Sequence, residues 1–296
     1  MTTSAERRQA AAFMVKRELS ARRACELLGI SRRWLGYEGR RGKVDPVLGR
    51  LKRLAARHPR YGYRRLHVML RRELGRRGPA VNVKRVRRLC VLHGLKLSRK
   101  RRRKRRGVGA GVPCRAEYPG HVWAYDFVHD VCRDGRKLKI LTVEDEFTRR
   151  CLTIEVERRM PASGVCRALL RLFARHGTPS FVRSDNGPEF IAKALVKTLA
   201  EKGVACRHID PGSPWQNGLN ERFNGSLRDE CLNLETFAHR DQARAVCRLY
   251  MRHYNHERPH SSLGYLTPAQ FAARHGPSAL ATPPPKARAG TMSGEN

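Results

Sequence analysis

Three carboxylates in this sequence fall where a hard cation could be held. Asp126 lies in the middle of the strand-like run HVWAYDFVHDV (121–131). Asp185 directly follows the short run PSFVRS (179–184), and Glu221 sits in the first turn of the helix-like segment GLNERFNGSLRDECL (218–232). Alone, each has a plainer reading. Asp185 precedes Asn-Gly-Pro and suits a turn, while Glu221 suits the positive end of a helix dipole. Asp126 is harder to explain away, because a carboxylate in mid-strand on a half-buried sheet is costly unless it is paired or binds metal. Two acids on neighbouring strands and a third on a packing helix can converge as oxygen ligands for divalent cations. The chemistry open to such a trio is two-metal phosphoryl transfer.

In that chemistry two magnesium ions, one carboxylate shared between them, stand about 3.5–4 Å apart. One lowers the pKa of an attacking water or 3′-hydroxyl and the other stabilises the leaving 3′-oxygen. Displacement at phosphorus is in line, and no protein side chain need bond to the nucleic acid. A tyrosine nucleophile is the competing design, since Tyr250 and Tyr254 stand near HERPHSS (256–262). Helix packing explains those tyrosines better, with Arg258 and His260 read as phosphate contacts.

The elements that must position the acids follow from hydrophobic periodicity. Runs 121–131, 137–147 and 150–157 read as three successive strands, an antiparallel meander. Residues 163–177 form an amphipathic helix stopped by Gly177, 179–184 a fourth strand, 189–203 a helix and 204–209 a fifth strand. This later alternation of strand and helix calls for parallel pairing. Helices are expected over 218–232 and about 239–256.

The amino-terminal third reads differently. The chain holds 62 Lys and Arg against 26 Asp and Glu, a net charge of +36. Residues 1–106 hold 35 of the basic residues and only six acidic ones, and the stretch ends in RKRRRKRR (99–106). A solvated basic face is the plain reading of a charge run, but an excess this large and this localised favours a polyanion, with nucleic acid the natural one. Residues 20–37, SARRACELLGISRRWLGY, read as two short helices around a turn. Ala24, Leu27 and Leu28 would form the apolar face, Gly29 the stop, and Ser31 the N-cap of a second helix that opens with Arg32 and Arg33. That layout suits a helix-turn-helix presenting Arg32 and Arg33 to DNA, although an ordinary helical hairpin has the same pattern. A second basic helical block covers roughly 48–96. In it Leu66, Met69 and Leu70, and then Val86, Leu89, Cys90 and Leu92, form apolar faces. Lys84, Arg85, Arg87 and Arg88 are left exposed, and Arg64, Lys84, Arg85 and Arg88 are the expected DNA contacts. Tyr61 and Tyr63 fit either a surface or a core role.

Several classes are excluded. No run approaches 18 apolar residues, so no membrane span is expected, and MTTSAERRQA has no apolar signal-peptide core. An intracellular, bacterial-nucleoid location follows. Nine cysteines without a Cys-x-x-Cys pair read as reduced thiols. His58, His67 and His93 lack cysteine partners at suitable spacing, so no zinc is expected.

The blocks WAYDFVHD, SDNGPEF and PGSPWQNGLNERFNGSLRDECLN resemble, in order, the three signature blocks of bacterial insertion-sequence transposases of the retroviral-integrase superfamily. More narrowly, they resemble the second-frame product of the group that transposes by copy-out and paste-in through a circular intermediate. The 35 residues between Asp185 and Glu221 match that group's spacing, and YNHERPHSSLGYLTPAQF (254–271) resembles its carboxyl-terminal block. The resemblance runs from about residue 20 to 272. It implies that Asp126, Asp185 and Glu221 are the catalytic, metal-binding triad on a ribonuclease-H-like fold served by Mg²⁺, with Mn²⁺ as a substitute. It also implies that Arg228 contacts the phosphate backbone near the scissile bond. Asn217 and Asn224, on roughly the face of Glu221, would position DNA, and Trp215 is equally suited to stack or to pack. Asp130, Glu144, Asp145 and Glu146 stay outside the triad, Asp145 as a turn or structural residue.

The expected architecture is therefore an α/β ribonuclease-H-like catalytic core over 121–272, preceded by a basic all-α DNA-binding region over 1–106 and a linker over 107–120. Residues 273–296, rich in Pro, Gly and Ser, read as a disordered tail. The expected activity is cleavage and strand transfer of double-stranded DNA at element ends by a homo-oligomer. An upstream-frame helix-turn-helix protein is an expected fusion or partner. A nuclease for RNA–DNA hybrids and a non-catalytic DNA-binding regulator are the competing readings.

Overall fold

The structure is a computed structural model that describes residues 3–36, 45–75, 77–97, 116–185, 187, 189–190, 192–208 and 218–276. The arginine run 99–106, residues 107–115 of the expected linker, Trp215, Asn217 and residues 277–296 lie outside the described residues.

Strands β1 (Val122–Val131), β2 (Lys137–Asp145), β3 (Cys151–Glu157), β4 (Phe181–Ser184) and β5 (Ala205–His208) form one sheet in the order β3-β2-β1-β4-β5. The first three strands pair antiparallel, as their short connections allow, while β4 pairs parallel to β1 and β5 parallel to β4. Parallel neighbours need a crossover, and helices α7 (Ala162–His176) and α8 (Lys193–Glu201) supply it. Asp145 makes the β2–β3 turn, its carboxylate accepting from the backbone nitrogens of Gly120 (3.0 Å) and Phe147 (2.9 Å). The structural role expected for it holds.

β1 departs from the half-buried alternation expected of it. Val122, Trp123, Ala124 and Tyr125 are all buried, because both faces of this central strand are covered. On one face Trp123, Tyr125, Leu141 and Val143 pack with Leu169, Phe173, Leu195 and Leu199 of α7 and α8. On the other, Val128, Ile140, Ile154 and Val156 pack with Phe223 and Leu227 of α9 (Gly218–Glu230) and with Ala243, Cys247 and Tyr250 of α10 (Arg240–His256). At roughly 25 cal/mol per Å² of apolar surface removed from water, these two layers supply the main drive to fold.

The chain divides into two compact units, Met1–Arg50 and Leu51–Asn296. In the first, α1 (Ser4–Lys16) packs with α2 (Ala21–Leu27) and the one-turn α3 (Arg32–Leu35), burying Ala11, Ala24 and Cys25. Ser31 caps α3 as expected, accepting from the Trp34 backbone nitrogen at 3.1 Å. Leu27, expected on the apolar face of α2, is exposed.

Helix α4 (Leu48–Arg57) crosses the division, and α5 (Tyr63–Leu74) and α6 (Val83–Leu92) belong to the second unit. Arginines of the second basic block pair with the far end of the chain, which places that block in the second unit. Arg65 reaches Glu230 at 2.9 Å, Arg60 pairs with Asp229, and Arg72 donates to the Glu257 and Tyr265 carbonyls, each at 2.9 Å. At the other end, α11 (Pro268–His275) takes residues 273–275 out of the expected tail. Thr267 and Gln270 form its capping box.

Candidate active site

The sheet brings two of the three acids side by side. β1 and β4 run parallel with Ala124 opposite Arg183, so the same register carried forward sets Asp126 beside Asp185, just past the end of β4. Asp126 is half-buried on the α9 face. Asp185 is exposed, and its Oδ1 accepts from the Gly187 backbone nitrogen at 3.0 Å, so it also forms the turn its sequence suggests. A Cβ at Gly187 would stand 3.1 Å from that oxygen and 3.2 Å from Phe190 Cδ2, which explains a glycine there. Phe190 anchors the loop on the opposite face of β1. Its ring meets Tyr125 edge-on at 4.7 Å and stacks on Phe127 at 4.8 Å, the two neighbours of Asp126.

Helix α9 delivers the third acid. Asn220, Phe223, Asn224 and Leu227 face the sheet, which leaves Glu221 on the flank of the helix, exposed in its first turn. Asn224 makes the link to β1. Its Nδ2 donates to Asp126 Oδ2 at 2.8 Å, and its Oδ1 accepts from Thr142 Oγ1 at 3.0 Å. Thr142 lies directly across β2 from Asp126 and also reaches the Asp126 carbonyl at 3.2 Å. Asn224, expected to position DNA, is thus bonded to Asp126. Thr142 was not visible in the sequence, since only the register between β1 and β2 places it there.

Burial pushes the Asp126 carboxyl up to about 6, and the negative charges of Asp185 and Glu221 add to the rise. Hydrogen bonds from the Phe127 backbone nitrogen and Asn224 work the other way. Among the described residues no cation pairs with any of these three acids, and no three His, Cys, Asp or Glu side chains gather closely enough to cage an ion. The donor set nonetheless fits a hard divalent cation: three carboxylates, all oxygen, two of them sensed by a third that is half out of water.

The residues expected to meet DNA separate into two groups. Arg32, Arg33, Arg64, Lys84 and Arg88 are exposed, and Arg85 is partly so. Arg228, on the Glu221 flank of α9, is exposed and donates to the His129 carbonyl at 2.8 Å. Arg258 is a correction. It is only 3% exposed, and its guanidinium holds Glu230 through Nε–Oε2 (2.7 Å) and Nη2–Oε1 (2.6 Å), so no phosphate can reach it. His260 is buried beside it and is corrected likewise; burial, then the Arg258 charge, lowers its pKa to about 3. Tyr250 and Tyr254 are core residues whose hydroxyls burial pushes well above the ordinary range, which leaves no tyrosine nucleophile there.

Strand order, mixed pairing and the two acids on adjacent strands define a ribonuclease-H-like integrase core. Family models described as Integrase core domain match residues 116–214 and 202–268, and one described as HTH-like domain matches 44–104. The helix-turn-helix likeness therefore falls on α4–α6, whereas the sequence pattern pointed to 20–37. The insertion element IS407 31.7 kDa protein of Burkholderia multivorans is 42% identical over 89% of this chain and 94% of its own length. The IS476 39.2 kDa protein of Xanthomonas euvesicatoria is 43% identical over 87% and 73%. The putative transposase InsK of IS150 from Escherichia coli is 30% identical over 72% and 77%. The chain belongs to the insertion-sequence transposases of the retroviral-integrase superfamily. Among solved structures, a chain of the simian T-cell lymphotropic virus intasome bound to PP2A subunit B56 gamma aligns with a TM-score of 0.48 and 20% identity, over 82% of this chain and 80% of that one. The HTLV-2 integrase catalytic core in complex with magnesium aligns with a TM-score of 0.42 and 18% identity, over 54% and 98%.

Proposed function

We propose that this protein is a metal-dependent DNA transposase that cleaves at the ends of an insertion sequence and joins the freed 3′-hydroxyl to target DNA. One observation carries the reading: the β1–β4 register sets Asp185 beside the half-buried Asp126, and the helix bonded to Asp126 through Asn224 carries Glu221 in its first turn, with no described cation paired to any of the three. Asp126, Asp185 and Glu221 would hold Mg²⁺, or Mn²⁺ in its place. When bound, such ions supply Lewis-acid activation of the attacking oxygen and charge neutralisation at the leaving one.

The chain's own residues do the rest. Asn224 fixes the Asp126 carboxylate, so that both its oxygens are aimed by the Phe127 backbone nitrogen and the amide. Arg228 stands on the flank of α9 that carries Glu221, free at its outer edge to meet a phosphate. Lys84 and Arg88 on α6, with Arg85 and Arg64, would hold the duplex backbone in a salt-dependent way. Asn217, outside the described residues, is proposed to help position the DNA. Two ends joined in one event call for a homo-oligomer on DNA, at the nucleoid, and an upstream-frame protein remains a proposed partner.

The test is nicking of supercoiled plasmid by the purified chain in Mg²⁺ or Mn²⁺. Wild type should nick and chelator should abolish it, while Asp126→Asn and Glu221→Gln stay silent. Equal nicking by all three proteins would overturn the triad.

A further inference from the structure

The front and rear of α9 are held very differently. Glu221 lies in its first turn, and Asp229 and Glu230 in its last. Nine steps of about 1.5 Å separate Glu221 from Glu230, so about 13.5 Å of rigid helix joins them. The front half meets the sheet through Asn220, Phe223 and Asn224, and the amide of Asn220, fully buried, has no hydrogen-bond partner among the described residues. The rear half is clamped by charge. Glu230, itself 8% exposed at its side chain, receives Arg258 on both oxygens and Arg65 at 2.9 Å. Arg258 also reaches Ser226 at 3.2 Å, and Arg60 pairs with Asp229.

At 100° per residue, Ser226 and Glu230 share one side of α9, while Glu221, Gly225 and Arg228 share the other. The sheet holds a third side. A helix gripped on two sides cannot roll, so the clamp opposite Glu221 sets how far that carboxylate turns towards Asp126. The grip comes from two sources: Arg258 from the block after α10, and Arg65 from α5, in the region that matches an HTH-like domain.

We infer that Arg65, acting through Glu230, is a positioning residue for Glu221, tying the basic helical block to the rotation of the catalytic helix. Its guanidinium reaches Glu230 and lies over the Tyr61 ring at 5.3 Å, with no described contact to the three acids. The inference rests on the proposed catalytic role of Glu221 for its effect on rate, but not for its effect on α9 itself.

Two readouts on the full-length chain test it, using Arg65→Met, which keeps the aliphatic stem and leaves Glu230 paired with Arg258, and Arg65→Lys as the conservative variant. In the free protein, amide hydrogen exchange over residues 218–225 should quicken about tenfold in Arg65→Met and stay unchanged in β1–β3, because local opening is governed by local contacts. In plasmid nicking, kcat should fall about tenfold with KM unchanged, and Arg65→Lys should restore most of it. Unchanged exchange over 218–225, or a rise spread equally through the sheet, would overturn the inference. So would nicking by Arg65→Met at the wild-type rate. If wild type fails to nick at all, the proposed function falls, and the exchange result alone decides the role of Arg65.

Discussion

The Asn224 amide nitrogen donates to Asp126 Oδ2 at 2.8 Å, so the helix that carries Glu221 also grips the carboxylate of the central strand. Thr142, across β2, holds the other end of that amide at 3.0 Å. The amide is oriented by these two bonds: oxygen to the hydroxyl, nitrogen to the carboxylate. Asn224→Ala should lower plasmid nicking about 10–100-fold, the usual cost of losing a residue that orients a metal ligand, and should raise the Mn²⁺ concentration needed for half-maximal rate. Duplex affinity, read by fluorescence anisotropy, should not change. A loss of affinity with an unaltered metal requirement would return Asn224 to the DNA-contact role that its sequence position suggests.

Asp185 makes a cleaner test of the proposed metal site, because its only described hydrogen bond is the turn contact to Gly187. Asparagine preserves that turn while removing the charge. Asp185→Asn should therefore leave folding and duplex binding intact and reduce nicking and joining to background. Near-wild-type joining by this variant would remove Asp185 from the triad.

Much of this was legible in the sequence, for reasons that are local. β2 and β3 begin and end within two residues of expectation, because β-branched residues bounded by charge and turn formers leave little choice. Gly177, at φ +80°, ends α7 where a glycine should. The three acids stood out together: one in mid-strand, where a carboxylate is costly, one directly after a strand and one in the first turn of a later helix. What stayed hidden depends on partners distant in sequence. Arg258 looked like a phosphate contact, since Glu230 lies 28 residues away and nothing local points to it. Arg60, Arg65 and Arg72 of the second basic block likewise have partners in helix α9 and the carboxyl-terminal block that nothing local points to. Helices α1 and α11 lie outside the expected elements, although their capping boxes, Thr3 with Glu6 and Thr267 with Gln270, are plain in the sequence.

The same distinction separates two kinds of arginine experimentally. Lys84→Ala with Arg88→Ala removes two exposed charges from α6 and should lower the slope of log affinity against log salt by roughly 2, without altering thermal stability. Arg258→Ala leaves Glu230 short of its main partner in a buried site. It should cost roughly 3–5 kcal/mol of stability, seen in denaturant unfolding, and leave the salt slope of the folded fraction as it was. A reduced slope for Arg258→Ala at wild-type stability would mean that Arg258 does reach DNA.

Glu144 predicts a dependence of stability on pH. Its side chain is fully buried between β2 and α10, with Oε2 unpartnered among the described residues and the Tyr254 hydroxyl donating to Oε1 at 3.5 Å. Burial pushes its carboxyl up to about 8; Arg149 opposes the rise, while Glu146 and Asp145 add to it. The unfolded chain releases this proton near pH 4.5, whereas the folded chain keeps it to about pH 8. Folding therefore binds a proton across that window. The stability from Glu144 is fully present below pH 4.5 and is lost as pH rises towards 8, at up to about 1.4 kcal/mol per pH unit. Glu144→Gln keeps the shape and cannot ionise, so its unfolding midpoint should match wild type near pH 4.5 and exceed it increasingly towards pH 8. Parallel curves for the two proteins from pH 5 to 8 would show that Glu144 is already ionised in the fold, with Arg149 as its counter-ion.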